Sequence, residues 1–112
     1  QYEWTSHEPA ALQAGVEQSV IDVVKYDREV TGLSEKDATV IRLGRALFRD
    51  RRVDSALYAK AVALFGQQGT LELGIIMGDY AMAAVMLTLV DHQLAPERQP
   101  LLPPRQRAAN AR

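Results

Sequence analysis

The sequence predicts an all-α fold of about five helices. Three observations carry this. Apolar residues recur at three- and four-residue spacing and do not alternate. Ala, Leu, Arg, Glu and Gln dominate, and Ser, Asp and Gly stand where helix ends need them. At 112 residues, 47% hydrophobic and a net charge of -1, the chain has the make-up of one ordinary domain and not of a disordered segment.

The spacing predicts a first helix from Tyr2 to Ala14, with Gly15 placed to end it as a left-handed residue. Pro9 interrupts this stretch. Either Thr5 or Ser6 caps a helix that begins locally, or a helix entering from upstream is kinked at Pro9. A short second helix covers Glu17 to Lys25, with Val20, Ile21 and Val24 on one side. Ser34 is the expected N-cap of the third, and Glu35 and Asp37 suit the positive end of its dipole. Val40, Leu43, Gly44, Leu47 and Phe48 form its apolar stripe. Asp54 caps a fourth helix that turns Leu57, Tyr58, Ala61, Val62 and Phe65 inward and closes at Gly66.

Thr70 is the expected cap of a fifth helix, which is apolar almost all round. Such a helix needs cover on every side. Missing upstream helices, a partner subunit, or both are the expected cover. The stretch Leu71 to Val90 is long enough to span a bilayer but holds Glu72 and Asp79. A mid-span Asp costs roughly 2.5–3.5 kcal/mol, so the stretch reads as a buried helix and not as a membrane anchor. The expected organisation is a helical domain over 1–95 and a Pro/Arg-rich tail over 96–112. Arg98, Arg105, Arg107 and Arg112 make that tail locally basic, in a composition typical of a solvated end or of a segment docked on a neighbour.

Thirteen basic and fourteen acidic residues give no field that would steer the chain to nucleic acid or anionic lipid. With no cysteine there is no thiol nucleophile, no disulfide and no Cys-ligated zinc. The chain opens on Gln1 and not Met, so residues are expected upstream. No signal peptide is evident, and the expected compartment is the cytoplasm.

Glu3 and His7 are four apart, which on a helix puts them on one face roughly 5–6 Å apart at Cβ. A carboxylate that orients an imidazole supports general acid/base work near neutral pH. The same spacing also describes an ordinary surface pair contributing a few tenths of a kcal/mol. Trp4 reads as a core anchor or as a substrate platform, and Glu8 as a solvated residue elsewhere on the helix. Asp79 needs a polar partner if buried. His7 and His92 lie far apart, and one Glu-His pair at i, i+4 is not the doubled Glu-x-x-His of di-iron bundles, so no metal is expected. No phosphate loop, dinucleotide fingerprint or Gly-x-Ser-x-Gly elbow is present.

The run Tyr2-Glu3-Trp4-Thr5-Ser6-His7, then Ala10 to Gly15-Val16 and the Leu33-Ser34-Glu35 opening, resembles the carboxymuconolactone decarboxylase family, related to the alkyl hydroperoxidase D proteins. Val53-Asp54, Phe65-Gly66 and Leu71-Glu72-Leu73 leading to Tyr80 extend the likeness over about residues 1–90. The resemblance implies an alkyl hydroperoxidase D-like helical domain assembled as a trimer or hexamer, with its N-terminal part missing here. The thiol branch of that superfamily uses Cys-x-x-Cys-x-x-x-His. Aligned on His7, the second Cys falls on Glu3, so dithiol peroxide reduction is excluded. The non-thiol branch implies a lyase of aromatic catabolism, with His7 carrying the proton and Glu3 as its partner. The expected function is therefore cofactor-free acid/base chemistry on a small carboxylated, lactone-type molecule. The alternative is a non-catalytic helical oligomer or small-molecule-binding module. The two differ in one observable: a catalytic His7 lines a water-poor pocket with room for a ligand, whereas in the binding module it is exposed or plugged by neighbouring side chains.

Overall fold

A computed structural model describes residues 1–104, which are helical without a strand: α1 (Tyr2–Gln13), α2 (Gln18–Lys25), α3 (Glu35–Arg45) and α4 (Ser55–Leu89). Arg105, Arg107 and Arg112 of the expected basic tail lie outside the described residues. The chain divides into two units, one formed by residues 1–28 with the segment from His92 onward, the other by residues 29–91.

In the first unit α1 begins at Tyr2, where Thr5 N bonds Gln1 O at 2.9 Å, so neither Thr5 nor Ser6 is its cap. Gly15, at φ 89°, closes it in a Schellman arrangement: Val16 N bonds Ala11 O and Gly15 N bonds Leu12 O, both at 3.0 Å. Pro9 sits inside α1. Because proline has no N–H, the Thr5 carbonyl one turn earlier loses its helical donor. The Arg98 guanidinium takes that place, donating to Thr5 O at 3.1 Å and to Ser6 Oγ at 3.3 Å. Beside it Leu101 N donates to the buried Thr5 Oγ1 at 3.2 Å. The Gln1 amide exchanges two hydrogen bonds with the backbone of Leu102, at 2.6 and 3.2 Å. The segment expected to be a solvated tail is thus held on α1 over residues 98–102, because the proline leaves an acceptor there.

In the second unit Ser34 caps α3 by accepting from Asp37 N at 3.1 Å, and Asp54 caps α4 by accepting from Leu57 N at 2.8 Å, both as expected. α3 packs on α4 through small residues, with Ala38, Thr39, Leu43, Ala46 and Ala61 buried. Gly44 lets Met77 come close, its Sδ and Cε 3.9 Å from where a Cβ would stand. The turn after α3, Ala46–Asp50, widens to π-helical bonds and ends at Arg51 in the left-handed region. Widening the turn shifts the phase of the apolar stripe, and Phe48 turns out to solvent instead of inward. Tyr58 is also exposed, three residues before the fully buried Ala61.

The expected fourth and fifth helices follow one another within α4 and are divided where expected, at Gly66. Its φ of 73° and ψ of 170° belong to a region that essentially only glycine occupies. Thr70 is not an N-cap: its hydroxyl donates back to Gly66 O at 2.7 Å, inside a helix that has already resumed. The expected buried helix beyond Gly66 is corrected more strongly. Ile75, Met82, Val85 and Leu89 are all more than 60% exposed, because α3 covers one side of it only. By length and composition α4 could cross a membrane, yet 6% of its most apolar stretch is buried in the chain.

Two stability measurements check these devices. Gly66→Ala should destabilise the fold by about 1–3 kcal/mol through backbone strain alone, since a Cβ there meets nothing within 4 Å. An unchanged thermal midpoint would show the break to be unstrained. Arg98→Ala should cost about 1 kcal/mol in the natural sequence, and less in a Pro9→Ala background where the helix supplies its own donor. Equal costs in both backgrounds would separate Arg98 from the proline.

Candidate active site

Trp4, His7, Glu8 and Ala11 follow i, i+3, i+4, i+7 spacing and so share one face of α1. Ile21 and Val24 of α2 face the same space, and these six residues line a cavity of about 230 Å³ with an almost wholly apolar surface. Its volume and apolar lining suit a small organic molecule.

The polar side of this cavity is organised by Glu8. Lys25 Nζ lies 3.1 and 3.2 Å from its two carboxylate oxygens, and Trp4 Nε1 donates to Oε2. The Lys25 and Glu8 side chains retain 12% and 9% of their exposure. Removing two charges from water to this extent returns little net stability, but it fixes the geometry of the groups involved. The indole is therefore held at its nitrogen while its ring borders the cavity. His7 also borders the cavity and is itself exposed.

Of the residues singled out from sequence, the cavity brings together His7 and Trp4. Glu3 is half-buried on α1, one turn before His7, and is not part of the lining. Glu8, expected to be solvated, is instead bound and largely buried; this corrects the sequence reading. The signal for it was present in two places. Trp4 and Glu8 are an i, i+4 pair, and Lys25 is the sole Lys or Arg among the first 27 residues, which include five carboxylates. His92, the other histidine, stacks edge-on against Tyr2 with ring centroids 4.5 Å apart. Among the described residues no group of three or more His, Asp or Glu is placed to hold a metal ion.

In comparisons with known proteins, no family model, curated protein or solved structure matches the chain.

Trp4 is the only tryptophan, so its fluorescence reports this site alone. Glu8→Ala should red-shift its emission, raise its quenching by acrylamide and lower stability by about 1–3 kcal/mol, since a mostly buried Lys25 loses its partner. An emission spectrum and a urea midpoint identical to those of the natural sequence would show that Glu8 does not hold the indole.

Proposed function

We propose that the α1–α2 cavity binds a small, flat, mainly apolar carboxylated molecule of the lactone type, and that His7 transfers a proton to it without a cofactor. The observation that carries this reading is the placement of an imidazole and a held indole on one mainly apolar cavity of about 230 Å³; the exposure of His7 favours the binding module, and turnover decides between the two. The resemblance of Tyr2-Glu3-Trp4-Thr5-Ser6-His7 to the carboxymuconolactone decarboxylase pattern supports the same chemistry.

The step balances with one protein group. The bond from the ring carbon to the carboxylate breaks, and its electron pair passes into the conjugated carbonyl of the substrate. Carbon dioxide leaves, and the His7 imidazolium delivers a proton to the carbon that lost it. Apolar walls favour the reaction because they penalise a localised carboxylate more than a delocalised enolate. Trp4 offers the ring a flat surface. Glu3, one turn before His7, acts as a positioning residue for the imidazole.

The decisive test pairs binding with turnover. Candidate carboxylated lactones should quench Trp4 fluorescence saturably and release carbon dioxide. His7→Ala should abolish the release, by at least the 10²-fold typical of a lost acid/base group, while helical circular dichroism stays unchanged. Equal turnover by the natural protein and the variant removes His7 from the mechanism. Saturable quenching without turnover in either supports the binding module instead.

A further inference from the structure

The most exposed apolar residues of α4 are not scattered. Leu71, Ile75, Gly78, Met82, Val85 and Leu89 follow one another at spacings of four, three, four, three and four, the seam of a helix that packs lengthwise on another helix. The five side chains on it are 61–74% exposed, and a Cβ at Gly78 would meet nothing within 4 Å. The side of α4 turned to α3 is a different one, marked by the buried Thr70 and by Met77 against Gly44.

We propose that this seam is an interface between two copies of the chain, paired helix to helix along residues 71–89. The five side chains of the seam, each 61–74% exposed, offer roughly 100 Å² apiece, about 500 Å² per copy. Two copies then bury about 1,000 Å², the size a specific interface has to reach. A seam of this kind is self-complementary, since the same ridge on a second copy fills it by two-fold symmetry. Gly78, at its middle, permits close approach of the two backbones. Glu72 and Asp79 lie immediately beside the seam and are exposed, so pairing leaves both at the rim in water.

A lipid bilayer fits this helix less well. α3, which packs against α4, carries Glu35, Lys36, Asp37, Arg42 and Arg45, and would be drawn into the hydrocarbon with it. From Leu71 to His92 there is no Lys or Arg to anchor either end of a span.

Sedimentation and light scattering of the natural protein should give at least twice the chain mass. Ile75→Glu with Val85→Glu should return it to the single-chain mass with circular dichroism retained. Because the chain has no cysteine, Ile75→Cys and Val85→Cys report the contact in near-natural variants. Under mild oxidation they should form disulfide dimers, each with itself for parallel helices or with each other for antiparallel ones. A thiol at exposed Ala59 should not. The proposal is overturned by a natural protein of single-chain mass, by a doubly substituted variant that assembles unchanged, or by crosslinking at 75 and 85 no greater than at 59. Co-sedimentation of the natural protein with phosphatidylcholine vesicles overturns it in favour of a membrane.

Discussion

The second unit is governed by apolar surface that its own chain does not bury. Four apolar residues of this unit are buried and three of these are alanines, whereas eleven of its large hydrophobic side chains are exposed. Burial contributes about 25 cal/mol per Å², so the residues beyond Gly66 forgo in the single chain most of the stabilisation their composition makes available. Nearly every feature of residues 29–91 is arranged around this. Ala38, Ala46 and Ala61 let α3 lie close on α4 at a cost in buried area, and Gly44 extends that contact to Met77. The result is one tightly covered side and a long seam left open.

The first unit solves a different problem, that of a helix with a proline in its middle. An uncompensated Pro9 would leave the Thr5 carbonyl without its helical donor and bend α1. Arg98, Leu101 and Leu102 turn that defect into an attachment, and their bonds run to Gln1, Thr5 and Ser6, on the two turns that also carry Trp4 and His7. The Glu8–Lys25 pair then ties α1 to the end of α2. Cavity-lining residues on α1 are thus held from one end by a backbone strap and from the other by a desolvated ion pair. Such support lets small residues such as Ala11 line a cavity without its collapse.

Features set by local chemistry were legible in the sequence. Ser34, Asp54, Gly15 and Gly66 act at helix ends or breaks where their side chains, or lack of one, predict it. Non-local features were not. Nothing in the spacing of Leu43, Leu47 and Phe48 announces that the turn after Arg45 widens and rotates Phe48 outward. Thr70 looks like a cap, yet a helix that resumes at once after Gly66 makes its hydroxyl an internal donor. The all-round apolar character of Leu71–Val90 was plain, and so was its need for cover. Whether that cover comes from the same chain is a matter of how many neighbours the fold supplies, which periodicity does not encode. In the candidate site, Trp4 and His7 were singled out from the sequence and both border the cavity, while Glu8 escaped because its partner is seventeen residues away on another helix.

That internal pairing also narrows the chemistry a ligand would meet. Glu8 is the only carboxylate in the cavity lining, and its oxygens are committed to Lys25 and to the indole of Trp4. Unpairing it would leave a mostly buried ammonium uncompensated, a cost no weakly bound ligand repays. His7 is the other ionisable group of the lining, and it is the group to which the proposed proton transfer is assigned. A site with a single proton carrier can drive reactions in which the substrate itself stores the electron pair released, and it is poorly suited to those that need a second protein group to stabilise charge at a distance. The conjugated carboxylated ring proposed as the substrate satisfies this condition.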